Sequence, residues 1–395
     1  MLRSVLASLT TWLLLATPHA AAQPAPTLAA RAWVLVDATS GTRLAAYEPW
    51  ARLEPASLTK LMTAYVVFTA LNENRIALTD TVTVSRAAFA APGRAGARMY
   101  LEPGRAVSVD QLLRGMLTAS ASDAAVALAE ASAGSSEAFV ERMNAEARRL
   151  GMSNTHFANP TGQSDAQNYS SAEDLAILAR RLFADFPQHA ALFAQREFAY
   201  NNVSQANRNR LLWTDSTIDG MKTGQLAAAG WSVVATTARA QGSGDRSFQR
   251  RLIAVVLGAP SEAARTQETL RLINHGYAAF DTVQLYRRGD VLAKPVIWKG
   301  ERGVVPVGVD RDVYVTIPAR ELRAPDSEPL KSSIERQDPL IAPLQSGETV
   351  GRMTISAGGR PLADVPVVAL ERVDSGGLLR RAYDAIVLWW RKRSD

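Results

Sequence analysis

The chain contains no cysteine, so disulfides, thiolate metal sites and a cysteine nucleophile are all excluded, and stability has to come from a packed core. Histidine is nearly as scarce: beyond His19 there are only His156, His189 and His275, without ligand spacing. No metal or other cofactor is therefore expected. Repeats and low-complexity tracts are also missing. The formal net charge is +6, but no basic-aromatic recognition pattern accompanies it, so no nucleic-acid partner is expected. The 395 residues suffice for more than one domain and a large core.

What is present begins with a leader. Met1-Leu2-Arg3 is a short basic start, Val5 to Ala16 an apolar stretch, and Ala20-Ala21-Ala22 a small-residue cleavage site, which reads as a secretory signal over residues 1–22. The apolar stretch falls short of the roughly 20 residues of a membrane span. An exported basic chain suits an anionic surface, either phospholipid or wall polymer. At the far end, spacing of 100° per residue puts Leu378, Leu379, Ala382, Ala385, Ile386, Trp389 and Trp390 on one side of a helix. Arg380, Arg381, Asp384, Arg391 and Lys392 fall on the other. Residues 375–395 thus read as an amphipathic helix lying on a membrane surface, or else docked on its own domain.

Between these ends the pattern changes once. Trp33 to Val36 and Leu44 to Tyr47 read as a hairpin across Ser40-Gly41. Pro55 precedes an amphipathic helical run from Ser57 through Phe68, and Asn72 to Val109 breaks into loops and short strands. Helices follow near 109–117, 123–133, 139–150 and 171–183. Gly230 to Thr237 and Leu252 to Leu257 read as an antiparallel pair, and Glu262 to Phe280 as a helix. After about Phe280 only short strands appear, including one from Val291 to Trp298. The predicted class is α+β: a mixed domain over 23–281, a small all-β domain over 282–374, then the tail.

Three stretches carry chemistry. Ser57-Leu58-Thr59-Lys60 brings a hydroxyl and an amine onto one helix face, where a desolvated lysine could take the serine proton. Alone, S-x-x-K is weak. Ser120-Ala121-Ser122 interrupts two apolar helices, and its hydroxyls need partners there. Lys222-Thr223-Gly224 completes an ordered set, and its first and third members each occur once.

That set, with stretches such as EPASLTKLMTAYV, GMSNTHFANPTG and DGMKTG, resembles the low-molecular-mass penicillin-binding proteins, serine-type D-alanyl-D-alanine carboxypeptidases. The resemblance spans essentially the whole chain after the leader. It implies a β-lactamase/transpeptidase-like first domain and removal of the terminal D-alanine from peptidoglycan pentapeptide stems. It further implies acylation by β-lactam antibiotics, and a periplasmic protein attached peripherally to the outer face of the inner membrane. In this resemblance Ser57 is the nucleophile, Lys60 the general base and Ser120 a proton relay. Lys222 supplies positive charge, Thr223 offers a hydroxyl to the substrate carboxylate, and Arg208 and Arg265 are further basic residues around that carboxylate. The oxyanion hole would use the backbone N–H of Ser57 and one at or just past Gln225.

Two positions depart from the family pattern. Ser122, a shorter group with one donor, stands where the middle motif has asparagine, and Gln225 stands where histidine often follows K-T-G. Ser122 is still expected to contact substrate. Two other functions are compatible with the motifs: a β-lactamase, and a wall or membrane scaffold with a weak site. Against the first, no E-x-x-L-N loop occurs between Gly151 and Asn209.

Overall fold

The computed structural model describes residues 25–94, 96–323 and 329–394; the leader read over 1–22 lies outside them. The first domain is built on a five-stranded antiparallel sheet of β1 (Ala32–Asp37), β2 (Thr42–Tyr47), β3 (Ile218–Leu226), β4 (Gly230–Gln241) and β5 (Phe248–Ala259), ordered β2-β1-β5-β4-β3. Every residue of β1 is buried, because β1 is covered on both faces; this is why Trp33 to Val36 reads as an unbroken apolar run. Val34 and Val36 face the main helical core with Val255 and Leu257. Trp33 and Leu35 face the opposite layer, with Leu272 and Ile273 of α4 (Glu262–Ala279).

The helical layer contains α1 (Lys60–Asn72), α2 (Val109–Thr118) and α3 (Ser122–Ala133). The expected amphipathic run is not amphipathic: Lys60 through Phe68 are all buried, since α1 runs through the middle of the helical cluster. Ser57 itself lies in a 3-10 turn, Ala56–Thr59, that feeds α1.

The second domain is all-β, as predicted. Phe280–Tyr286 pairs with Val313–Pro318, and a separate five-stranded sheet encloses a core of Val307, Met353, Ile355 and Val367. The single strand read over 291–298 is two, Val291–Ala293 and Ile297–Trp298, parted at Lys294-Pro295, where proline cannot donate to a ladder. Lys331–Arg336 is a strand that periodicity missed, because all six residues are exposed.

A buried ion pair ties the domains together. Arg250 on β5 meets Asp37 at the end of β1, and Thr282 of the second domain donates to the same carboxylate at 2.6 Å. Thr282 and Thr316 are hydrogen-bonded at 2.8 Å, and Thr316 reaches Ser40 at 2.6 Å.

The tail forms helix Leu378–Ser394. Its polar side meets the second domain, where the Lys299 N–H donates to Asp384 at 2.6 Å; just before the helix, the Gly376 N–H donates to the Lys299 carbonyl at 2.8 Å. Leu378, Leu379, Ile386, Trp389 and Trp390 are exposed. Among the described residues, no helix is long and apolar enough to cross a membrane.

Candidate active site

The site forms where the Ser57 turn, the α2–α3 connection and β3 converge. In a 3-10 turn residues i and i+3 eclipse, so Ser57 and Lys60 are aligned more closely than an α-helix would align them. Ser57 is half-buried and Lys60 fully buried. The Lys60 Nζ lies 3.3 Å from Ser57 Oγ, 3.3 Å from Ser122 Oγ and 2.5 Å from the Thr161 carbonyl oxygen. Desolvation, aided by the charge of Arg208 and opposed by Asp123, pushes its pKa down to about 7.

Ser120 has a positive φ of 62° in the link between α2 and α3, and this sharp bend turns its hydroxyl into the site. Lys222 Nζ donates to that hydroxyl at 2.8 Å and to the Thr223 carbonyl at 3.1 Å. Burial, then the neighbouring charges of Lys60, Arg208 and Arg265, hold the Lys222 amine well below the ordinary lysine range. Gly224 lets β3 lie against the nucleophile turn, since a Cβ there would stand 2.9 Å from the Pro55 carbonyl oxygen. Asp123 secures the other wall, its carboxylate accepting the N–H groups of Met99 and Leu101.

Ser57, Ser120, Thr223, Gln225, Arg208 and Arg265 line one cavity of about 290 Å³. Arg208 is exposed there. Arg265 is 3% exposed and committed to the Glu262 carboxylate and the Arg208 carbonyl. Sequence reasoning missed Arg210, Trp231 and Glu262 in the same lining, and the Thr161 carbonyl beside Lys60. The last had a legible signal, because Asn159-Pro160-Thr161-Gly162 is turn chemistry. A larger cleft of about 720 Å³ in the second domain, rimmed by Arg288, Lys294 and Arg302, lies away from Ser57 and Lys60.

Known proteins are similar to this chain in sequence and fold. Residues 18–261 match the family described as D-alanyl-D-alanine carboxypeptidase. The chain belongs to that family. Residues 280–375 match the C-terminal domain of penicillin-binding protein 5. The chain is 38% identical over 369 residues to D-alanyl-D-alanine carboxypeptidase DacC of Escherichia coli K12, covering 92% of this chain and 89% of that one. Penicillin-binding protein 5 from Haemophilus influenzae superposes with a TM-score of 0.80 at 34% identity, covering 89% of this chain and 100% of that structure. Penicillin-binding protein D2 from Listeria monocytogenes, in its cefotaxime-bound form, covers 65% of this chain and 100% of its own, with a TM-score of 0.58 at 28% identity. Members of the family are serine carboxypeptidases, and the α+β plan with a C-terminal all-β domain is shared with penicillin-binding protein 5 from Haemophilus influenzae.

Proposed function

We propose that the chain removes the terminal D-alanine from peptidoglycan stems ending in D-Ala-D-Ala, through an acyl-enzyme on Ser57. One observation carries the roles: a fully buried Lys60 amine stands 3.3 Å from Ser57 Oγ with its pKa down to about 7, so the neutral form that accepts a proton is accessible. Ser57 Oγ attacks the carbonyl carbon of the penultimate D-alanine while its proton passes to Lys60. The backbone N–H groups of Ser57 and Gln225 stabilise the oxyanion. Collapse breaks the C–N bond, Ser120 relays a proton to the departing amine, and D-alanine leaves; water then hydrolyses the ester and frees Ser57.

Thr223, Arg208 and Arg265 bind the terminal carboxylate, and Ser122 the substrate amide. An arriving carboxylate favours the charged form of Lys222, opposing the burial and neighbouring charges that lower its pKa. Penicillins acylate the same serine. Among the described residues, Glu262, already paired with Arg265, is the one carboxylate in the cavity lining, which favours slow deacylation over the rapid turnover of a β-lactamase. The protein works outside the cytoplasm, in the periplasm, with its tail helix lying on the outer face of the inner membrane and the second domain as a spacer.

The deciding experiment is D-alanine release from a D-Ala-D-Ala peptide by the wild type and by Ser57→Ala. Release abolished by the substitution, with a penicillin adduct lost in parallel by intact mass, supports the reading. Absence of both release and adduct in the wild type rejects it in favour of a scaffold.

A further inference from the structure

Asn159 belongs to none of the three motifs, yet its carboxamide folds the turn beside the reacting groups. Its Oδ1 accepts from the N–H groups of Thr161 (3.2 Å), Gly162 (2.8 Å) and Gln163 (3.2 Å) and from the Thr161 hydroxyl (2.9 Å). Its Nδ2 donates to the Gln163 carbonyl at 3.1 Å. The turn is gripped from two sides. Thr63 on α1 donates to the Pro160 carbonyl at 2.7 Å. Gly162, at φ 78°, approaches the nucleophile turn so closely that a Cβ would stand 1.8 Å from the Ala56 carbonyl oxygen. What the turn presents inward is the Thr161 carbonyl, 2.5 Å from Lys60 Nζ.

We infer that Asn159 is a positioning residue for proton transfer between Ser57 and Lys60, acting through the Thr161 carbonyl; this rests on the reading of Lys60 as the base. A neutral amine has two N–H donors and one lone pair. The Thr161 carbonyl and Ser122 Oγ take the two donors, which leaves the lone pair for the Ser57 hydroxyl. At 2.5 Å against 3.3 Å, the carbonyl is the firmer anchor of the two. The same carbonyl binds an ammonium more strongly than an amine, so its placement also sets the proton affinity of Lys60. The charges facing Lys60 from other elements are Asp123 on α3, Arg208 in the loop before β3 and Lys222 on β3. The turn itself, Asn159 to Gln163, carries none. A displaced carbonyl therefore leaves a pH signature that simple loss of folded protein would not.

The test is the second-order rate of acylation by a fluorescent penicillin, followed from about pH 5 to 9, for the full chain, Asn159→Ala and Asn159→Asp. The wild type should show an acid limb as Lys60 loses its proton. In Asn159→Ala the plateau should fall roughly 10- to 100-fold and the limb move to lower pH, because the amine is misaimed and its ammonium less well solvated. Asn159→Asp keeps an acceptor for all four donors, so it should retain most of the plateau. Its limb should move to higher pH, because the new carboxylate stabilises the ammonium. If the alanine variant does not fold, the direction of the aspartate shift decides. A wild-type limb with both variants unmoved overturns this inference alone. A flat wild-type profile overturns the assignment of Lys60, and this inference with it.

Discussion

The Nε of Arg250 donates to Oδ2 of Asp37 across 2.8 Å, with the two side chains 1% and 0% exposed. Arg250 also donates to the Phe280 carbonyl at 2.7 Å, so the pair sits where the first domain hands over to the second. Removing one member of such a pair strands the other charge in the interior. Asp37→Ala should cost about 3–5 kcal/mol of stability, read as an earlier transition in chemical denaturation. A loss below about 1 kcal/mol, the worth of an exposed pair, would show that water reaches this site.

Lys60 should govern the pH dependence of acylation. Its pKa in the folded protein, about 7, lies below the ordinary 10.5, so the reactive neutral amine is present above about pH 7 and is lost as pH falls through it. The same sign applies to stability: between these two values the unfolded chain binds the extra proton, so this group makes the fold more stable as pH rises from 7 towards 10.5. Lys60→Arg replaces the amine with a group that stays charged and should slow penicillin acylation roughly 10²- to 10⁴-fold at every pH. Retained acylation in that variant would remove Lys60 from the proton path.

Ser122 accepts from Lys60 where the family pattern places an asparagine amide. Ser122→Ala leaves one buried N–H of Lys60 without an acceptor, at a cost of about 1–3 kcal/mol, or roughly a 5- to 150-fold loss in acylation rate. Stopped-flow acylation measures this directly. A rate equal to the wild type would mean that water substitutes for the hydroxyl.

The tail should carry membrane attachment. Leu378 and Leu379 are 81% and 90% exposed, and Trp389 and Trp390 52% and 63%. Truncation after Ser375 should lower affinity for anionic lipid vesicles by at least about 10²-fold, since burial of several large apolar side chains is worth several kcal/mol. A truncated protein that still sediments with vesicles would shift attachment elsewhere in the chain.

Much of this was legible in the sequence because the relevant signals are local. Apolar runs marked β1, β4 and β5, and the S-x-x-K spacing brought Ser57 to Lys60. The burial of α1 on all sides was not legible, since Lys60 and Thr63 look like a polar face until their partners, the Thr161 and Pro160 carbonyls, arrive from about 100 residues away. Strand Lys331–Arg336 escaped because all its residues are exposed, and the hairpin of Glu197–Tyr200 with Val203–Ala206 because four residues per strand are too few to show a period. Arg265 was placed beside the substrate carboxylate by resemblance, but only the fold shows that Glu262 already balances its charge.

Asp384 of the tail helix accepts the Lys299 N–H, and Gly376 just before the helix donates to the Lys299 carbonyl, so the tail is bolted to the second domain instead of trailing from it. That contact opposes swivelling of the helix against the domain. With that helix lying on a bilayer, the cavity at Ser57 would be held at one height and one heading, and the enzyme would select its stems by their distance from the membrane before any side chain touched them.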